Sequence, residues 1–310
     1  MLKCQKILAV IDPSVEEQKS LKRALHLARK TDASITALLT IYDFSYEMTT
    51  MLSVTERESM RQSVVDDRTE WLSAIIEQHN PDSQTRIDIK VVWHNRPFES
   101  IIHEVIQANY DLVIKGTHEH GVLKAVVFTP TDWHLMRKCP APVLLVKEQE
   151  WPENGNILAA VSAGTEDQEH QSLNNKLAKC AKDFAAILHA NVHLVNAYPG
   201  TPVNIAIEIP EFDPQHYNES VRDYHINSMN EFCQRHDFNS SYSHVREGLP
   251  ESAIPLVAKD INAELVIIGT VGRTGISAAL IGNTAEHVID SLDCDVLTIK
   301  PEGFKSPLEN

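Results

Sequence analysis

DLVIKGTHEHG at residues 111–121 and ELVIIGTVGRTG at residues 264–275 are two readings of one pattern, set 153 residues apart. The same offset carries Val143-Leu-Leu-Val-Lys147 onto Val296-Leu-Thr-Ile-Lys300, and Pro97-Phe-Glu-Ser-Ile101 onto Pro250-Glu-Ser-Ala-Ile254, without a gap. Upstream, Ile7-Leu-Ala-Val-Ile-Asp12 matches Ile157-Leu-Ala-Ala-Val-Ser162 at an offset of 150, a difference that one short indel explains. An internal repeat of this length means two copies of one folded unit. A chain of 310 residues is long enough for two domains. The polar run KEQEWPENGN, with Pro152 and Gly155, marks the junction and predicts domains 1–150 and 151–310.

Within each copy, short apolar β-branched runs alternate with longer amphipathic ones, the pattern of βαβ units around a parallel sheet. The first copy offers strands at 7–11, 35–41, 87–93, 112–115 and 143–147; the second offers 157–161, 192–197, 241–245, 265–268 and 296–300. Leu21, Ala24, Leu25 and Ala28 recur at helical spacing, as do Ile254, Val257, Ala258 and Ile261. The expected fold is therefore α/β: two tandem Rossmann-like domains, each a five-stranded parallel sheet flanked by helices. With right-handed crossovers and strand order 3-2-1-4-5, the ligand crevice falls where strands 1 and 4 end, because the winding reverses there. Those ends carry Asp12 and Gly116 in the first copy, and Ser162 and Gly269 in the second.

Gly269-Thr270-Val-Gly272 is followed by nine residues, then by Gly282-Asn283-Thr284 and the apolar-periodic stretch 285–291. Glycines let backbone approach a ligand closely. The amides opening the helix then form an anion seat, to which Asn283, Thr284 and Arg273 can add donors. Spacing alone also allows a plain turn in which Asn283 or Thr284 caps the helix and Arg273 is solvated. No lysine follows the last glycine, so the loop is not of the Walker A type.

The Gly269-x-x-Gly272, nine-residue, Gly282 pattern resembles the nucleotide-binding fingerprint of the ATP-binding branch of the universal stress protein family. The tandem βαβαβαβαβ order, and segments such as IYDFSYEMTT, VVWHNRPFES and FTPTDWHLMRKCP, resemble tandem bacterial members of that family across nearly the whole chain. The resemblance implies an adenine-nucleotide α-hydrolase-like fold, ATP or another nucleotide-containing ligand, and a stress-response role. Ser162 stands where the family places an aspartate, and Asn283 where it places Ser or Thr. In the first copy Asp12 and Gly116 fit, whereas Glu119 replaces Gly272, Thr129 replaces Gly282 and Pro130 replaces Asn283. A carboxylate repels phosphate and proline removes a donor, so the first site is expected to be degenerate and the second to hold the anionic head.

The segment after each second strand breaks helical pattern. At 198–214, Val203, Ile205, Ile207 and Ile209 alternate with other residues between Pro202 and Pro210, an extended row that has to be covered. It reads as a lid over an apolar cavity, which would admit a nucleotide-linked amphiphile, or as a linker packed on its own domain.

A net charge of −15, divided −3 over residues 1–150 and −12 over 151–310, argues against a nucleic-acid partner and makes any phosphate site rely on contact-range donors. No run reaches the ~18 apolar residues of a membrane span, and the N-terminus lacks a signal pattern, so a cytoplasmic protein is expected. Five scattered cysteines fit reduced thiols. His118 and His120 flank Glu119 without metal-site spacing, and no metal is expected. Val161-Ser-Ala-Gly-Thr165 lacks the SGGxDS-like loop of the pyrophosphatase branch of the superfamily, and no nucleophile with its base is visible, which favours a non-catalytic binding module. The alternatives are a weak ATP-hydrolysing or adenylating enzyme and a ligand-free scaffold. Two similar domains are expected to pack as an intrachain pseudo-dimer through strands 143–147 and 296–300, with dimerisation of whole chains open.

Overall fold

The computed structural model describes residues 4–46, 52–120, 125–147, 149–200, 213–270 and 283–309. The chain divides into two compact units, Leu2–Glu148 together with Lys305–Asn310, and Gln149–Phe304.

The first unit runs β1 (Lys6–Ile11), α1 (Lys19–Thr31), β2 (Ser34–Ile41), α2 (Val54–His79), β3 (Ile87–Trp93), α3 (Pro97–Ala108), β4 (Leu112–Gly116), the short hairpin β5 (His118–His120) and β6 (Ala125–Val127), α4 (Pro130–Lys138) and β7 (Val143–Val146). Its sheet is ordered β3-β2-β1-β4-β7, with every neighbouring pair parallel. The second unit runs β8 (Asn156–Ala160), α5 (Gln168–Leu188), β9 (Asn191–Tyr198), α6 (Pro214–Arg235), β10 (Ser243–Glu247), α7 (Pro250–Asp260), β11 (Ala263–Gly269), α8 (Asn283–Asp290) and β12 (Asp295–Ile299). Its order, β10-β9-β8-β11-β12, is the same 3-2-1-4-5 winding, again all parallel.

The strands are apolar because both faces of a parallel sheet are covered. Ile7, Leu8 and Ala9 of β1 and Leu112, Val113 and Ile114 of β4 are fully buried, and so are Leu265, Val266 and Ile267 of β11. Helices seal these faces: Leu21, Ala24, Leu25 and Ala28 of α1 are buried, as are Ile254, Val257 and Ala258 of α7, joined by Ala253, while Ile261 falls at the cap just past α7 and is only half-buried. Strand boundaries fall within a residue or two of expectation with one instructive shift. The third strand of the second unit starts at Ser243 instead of 241, because Asn239 accepts the Ser241 amide at 3.0 Å and winds Ser240–Tyr242 into a 3-10 turn.

Candidate functional site

In the first unit, β1 and β4 end side by side at the reversal of winding, and a cavity of about 650 Å³ opens there. Val10, Ile11 and Ile101 give it an apolar floor, while Asp12, Lys115 and His118 supply its charged or titratable edge. Gly116 and Thr129 also line it, so the structure brings together the three residues assigned to the degenerate first site.

Local hydrogen bonds fix the rim. The Asp12 amide donates to Gln18 Oε1 at 3.1 Å, and Gln18 Nε2 donates to the Asp12 and Val15 carbonyls at 2.7 Å each. The Ser20 hydroxyl donates to the Val10 carbonyl at 2.6 Å, so the first turn of α1 is riveted to the end of β1. Asp12 Oδ1 accepts the amide of Ser14 at 2.9 Å and its hydroxyl at 2.6 Å, and Oδ2 lies 2.6 Å from His118 Nε2. Burial by itself lifts the Asp12 carboxyl. The two bonds from Ser14, then the charges of His118 and Lys115, outweigh it and hold the group below its ordinary 3.8.

Behind the rim sits an ion pair that sequence reasoning missed. Lys115 Nζ is 2.7 Å from Asp132 Oδ1, and the two side chains are 10% and 0% exposed. Asp132 also closes a capping box on α4: its Oδ2 accepts the Thr129 amide at 2.6 Å and the Thr129 hydroxyl at 2.8 Å, while its own amide donates to Thr129 Oγ1 at 3.3 Å. With Pro130 lacking an N–H, this helix end is served by an anion from its own first turn. Thr129 therefore caps a helix and does not present its hydroxyl as a free ligand donor. At the 153-residue offset the partners Lys115 and Asp132 become Ile268 and Ala285, two apolar residues in step, and that paired exchange was the readable signal.

The second unit is built differently at the same place. The Ser162 amide donates to Asn174 Oδ1 at 3.1 Å, and Asn174 Nδ2 returns a bond to the Ser162 carbonyl at 2.8 Å. The Ala163 amide donates to Asn196 Oδ1 at 3.0 Å, which turns Asn196 Nδ2 toward His225 Nδ1, 3.1 Å away. Nδ1 is thus the acceptor of a neutral ring. His225 stacks on Tyr198 with centroids 4.8 Å apart, burial pushes its pKa down, and the Tyr224 hydroxyl donates to the Gly164 carbonyl at 2.9 Å. Asn196 is buried at the end of β9, whereas Tyr224 is exposed. A cavity of about 300 Å³ remains next to them, lined in part by Gly164, Asn174, Tyr224 and Arg235.

Gly269 ends β11, and a Cβ there would come within 2.9 Å of Leu173 Cγ. At Gly116 the nearest atom to such a Cβ is Lys19 Cβ at an ordinary 3.5 Å. Thr270 is buried, its amide and hydroxyl both directed at the Ile299 carbonyl. Asn283 and Thr284 form the first turn of α8. Gly272, Arg273 and Gly282, and the proposed lid residues Val203, Ile205, Ile207 and Ile209, lie outside the described residues. Among the described residues no group of three or more His, Cys, Asp or Glu is placed to hold a metal ion, and no helix is long and apolar enough to cross a membrane.

The family model for the universal stress protein family matches residues 3–147 and again 155–300. Universal stress protein E of Escherichia coli K12 is 52% identical over 306 residues, covering 98% of this chain and 96% of that protein. The protein of the same name from Photorhabdus laumondii is 48% identical over 311 residues, covering 100% and 99%. A crystal structure of a Pseudomonas aeruginosa UCBPP-PA14 protein, described as a universal stress protein, superposes with a TM-score of 0.75 at 30% identity, covering 98% of this chain and 96% of that one. With both halves matched separately, and relatives aligned from end to end, the chain belongs to the universal stress protein family as a tandem of two family domains.

Proposed function

We propose that this protein is a non-catalytic small-ligand-binding module of the stress response. Its second unit seats the anionic head of a nucleotide or a nucleotide-linked amphiphile on the Gly269, Gly272 and Gly282 loop and the first turn of α8. One contrast carries the reading. The helix that follows strand 4 in the first unit is served by Asp132, which Lys115 neutralises; the matching positions at the second helix are Ala285 and Ile268, so no carboxylate of the chain stands at that position. Ala285 contributes no carboxylate there, Glu286 being the acidic residue of that first turn, and a helix N-terminus favours an anion from solution. The alternating row Val203, Ile205, Ile207 and Ile209, read from the sequence, is proposed to cover the apolar body of such a ligand.

Two measurements test this. Mass spectrometry of the small molecules released on denaturing the purified chain should recover a phosphate-bearing compound. Calorimetric titration with ATP should show binding that Gly272→Glu abolishes by like-charge repulsion at contact range. Equal ATP affinity in Gly272→Glu, or no phosphate compound and no ATP binding in the unmodified chain, would remove the second-unit seat.

A further inference from the structure

The turn at 162–165, where β8 gives way to α5, is closed by the Thr165 amide on the Ser162 carbonyl at 3.2 Å and held from outside by α6. The Tyr224 hydroxyl donates to the Gly164 carbonyl at 2.9 Å. A Cβ at Gly164 would come within 2.8 Å of Tyr224 Cε1 and 3.3 Å of His225 Nδ1, so the turn rests directly on these two rings. One fixed donor then dictates where the protons lie. The Ala163 amide can only donate, so the Asn196 atom 3.0 Å from it is the carbonyl oxygen. Asn196 Nδ2, also a donor only, lies 3.1 Å from His225 Nδ1, which must therefore keep its lone pair. Asn196 is 1% exposed and has no solvent to exchange these bonds for.

A proton on Nδ1 sets donor against donor. Turning the amide over would satisfy the ring but bring Nδ2 against the Ala163 N–H, so the conflict moves to the turn and is not removed. Little else around the ring opposes or rewards its charge. Tyr198 of β9 stacks on its face and Tyr224 meets it edge-on with centroids 5.3 Å apart. The charges that reach Tyr198, Glu247 of β10 and Arg222 of α6, are opposite in sign. The turn 162–165 carries no ionisable side chain, and Asp167 and His170 at the start of α5 pair with each other. We propose that Asn196 and His225 form an acid-operated latch on the turn 162–165 of the second unit, closed while His225 Nδ1 is bare and released when it takes a proton. Because β8 ends beside β11 where the winding reverses, the latch makes the rim of that crevice follow pH. It does not depend on the phosphate seat, and its test needs no ligand. The first unit lacks the device, since Pro13 stands at the position of Ala163 and has no N–H to hold.

The test follows the isotope-labelled full chain by NMR from about pH 8 to about pH 5. Ring correlations should show His225 neutral at the alkaline end, with its proton on Nε2, and titrating below the ordinary 6.5 because burial disfavours its charge. The Ala163 amide resonance should move with the same midpoint. Its protection against hydrogen exchange should fall about tenfold or more on crossing that midpoint, while the amides of β11 stay in place. His225→Gln, which offers Asn196 an acceptor but cannot titrate in this range, should leave Ala163 protected throughout. A proton on Nδ1 at the alkaline end, an Ala163 amide indifferent to His225 protonation, or the same Ala163 response in His225→Gln would each overturn the proposal. Loss of the β11 resonances at the same midpoint would overturn it as well, since the event would then be unfolding of the unit and not release of a turn.

Discussion

Replacing Lys115 and Asp132, singly and together, separates a structural ion pair from a dispensable one. Asp132→Ala removes a fully buried carboxylate and leaves Lys115, 10% exposed, without its counter-charge. Orphaning a buried partner costs about 3–5 kcal/mol. The same change deletes the reciprocal cap with Thr129, worth about 0.5–2 kcal/mol. Asp132→Ala is therefore expected to lose about 4–6 kcal/mol. Lys115→Ile strands the carboxylate, but two bonds from Thr129 still hold it, so the loss falls near the lower limit of about 3 kcal/mol. The double variant installs the two residues found at the matching positions of the second unit. It buries apolar surface in place of two charges and forfeits chiefly the cap, about 1 kcal/mol. The coupling should then be about 6 kcal/mol or more. Urea unfolding of the full chain measures it, read by fluorescence in a Trp151→Phe background, because Trp71, Trp93 and Trp133 all lie in the first unit. Losses that add within about 0.5 kcal/mol, or an Asp132→Ala cost below 1 kcal/mol, would refute the argument.

Gly269→Ala is expected to cost about 1–3 kcal/mol through overpacking on Leu173, and Leu173→Ala in the same chain should recover part of it, whereas Gly116→Ala stays within about 0.5 kcal/mol; thermal melts of the variants check this. Burial lowers the pKa of His193, His225, His236 and His244 in the second unit, with neighbouring charges assisting at three of them. Unfolded chains then take up more protons below the ordinary 6.5, so the stability these rings contribute is full above that pH and is lost as pH falls toward the lowered values. The urea midpoint followed through Trp151 should drop between pH 7.5 and 5.5, and a flat profile would contradict the burial argument. All five cysteines are buried and free, and burial, aided by the nearby Asp111 carboxylate, pushes the Cys4 thiol up to about 12. Alkylation under native conditions should therefore label none of them within the time that urea-unfolded chain labels all.

Much of this architecture was legible because it rests on patterns that repeat. Parallel strands buried on both faces read as unbroken apolar runs, and the gapless 153-residue offset located strand 4 and strand 5 twice. Positions were legible where one residue at a strand end suffices, as at Asp12 and Gly116, which line the first-unit cavity, and at Gly269, which ends β11. Lys115 and Asp132 escaped because each is unremarkable alone, and their meaning depends on β4 and α4 meeting in space. The contacts of Tyr224 and His225 in the second unit escaped for a related reason. Tyr224 and His225 sit on a mostly polar helix, and only its rotation against β9 decides that they face the turn at Gly164. His118, weighed in the sequence as a metal ligand, proves to be a partner of Asp12, a role set by the short hairpin that follows β4.

Asp132 has a consequence for how the two copies respond to their surroundings. An anion tethered by covalent bonds to its own binding place has an effective concentration that neither dilution, dialysis nor metabolic state can alter. The loop it occupies is permanently satisfied, behaving as a receptor fused to its own agonist. If the proposed seat is right, a copy lacking that tether, as the Ile268 and Ala285 positions imply, would draw its anion from the cell and so follow the solute pool. On the proposed reading, duplication would leave one fixed arm and one responsive arm within a single polypeptide.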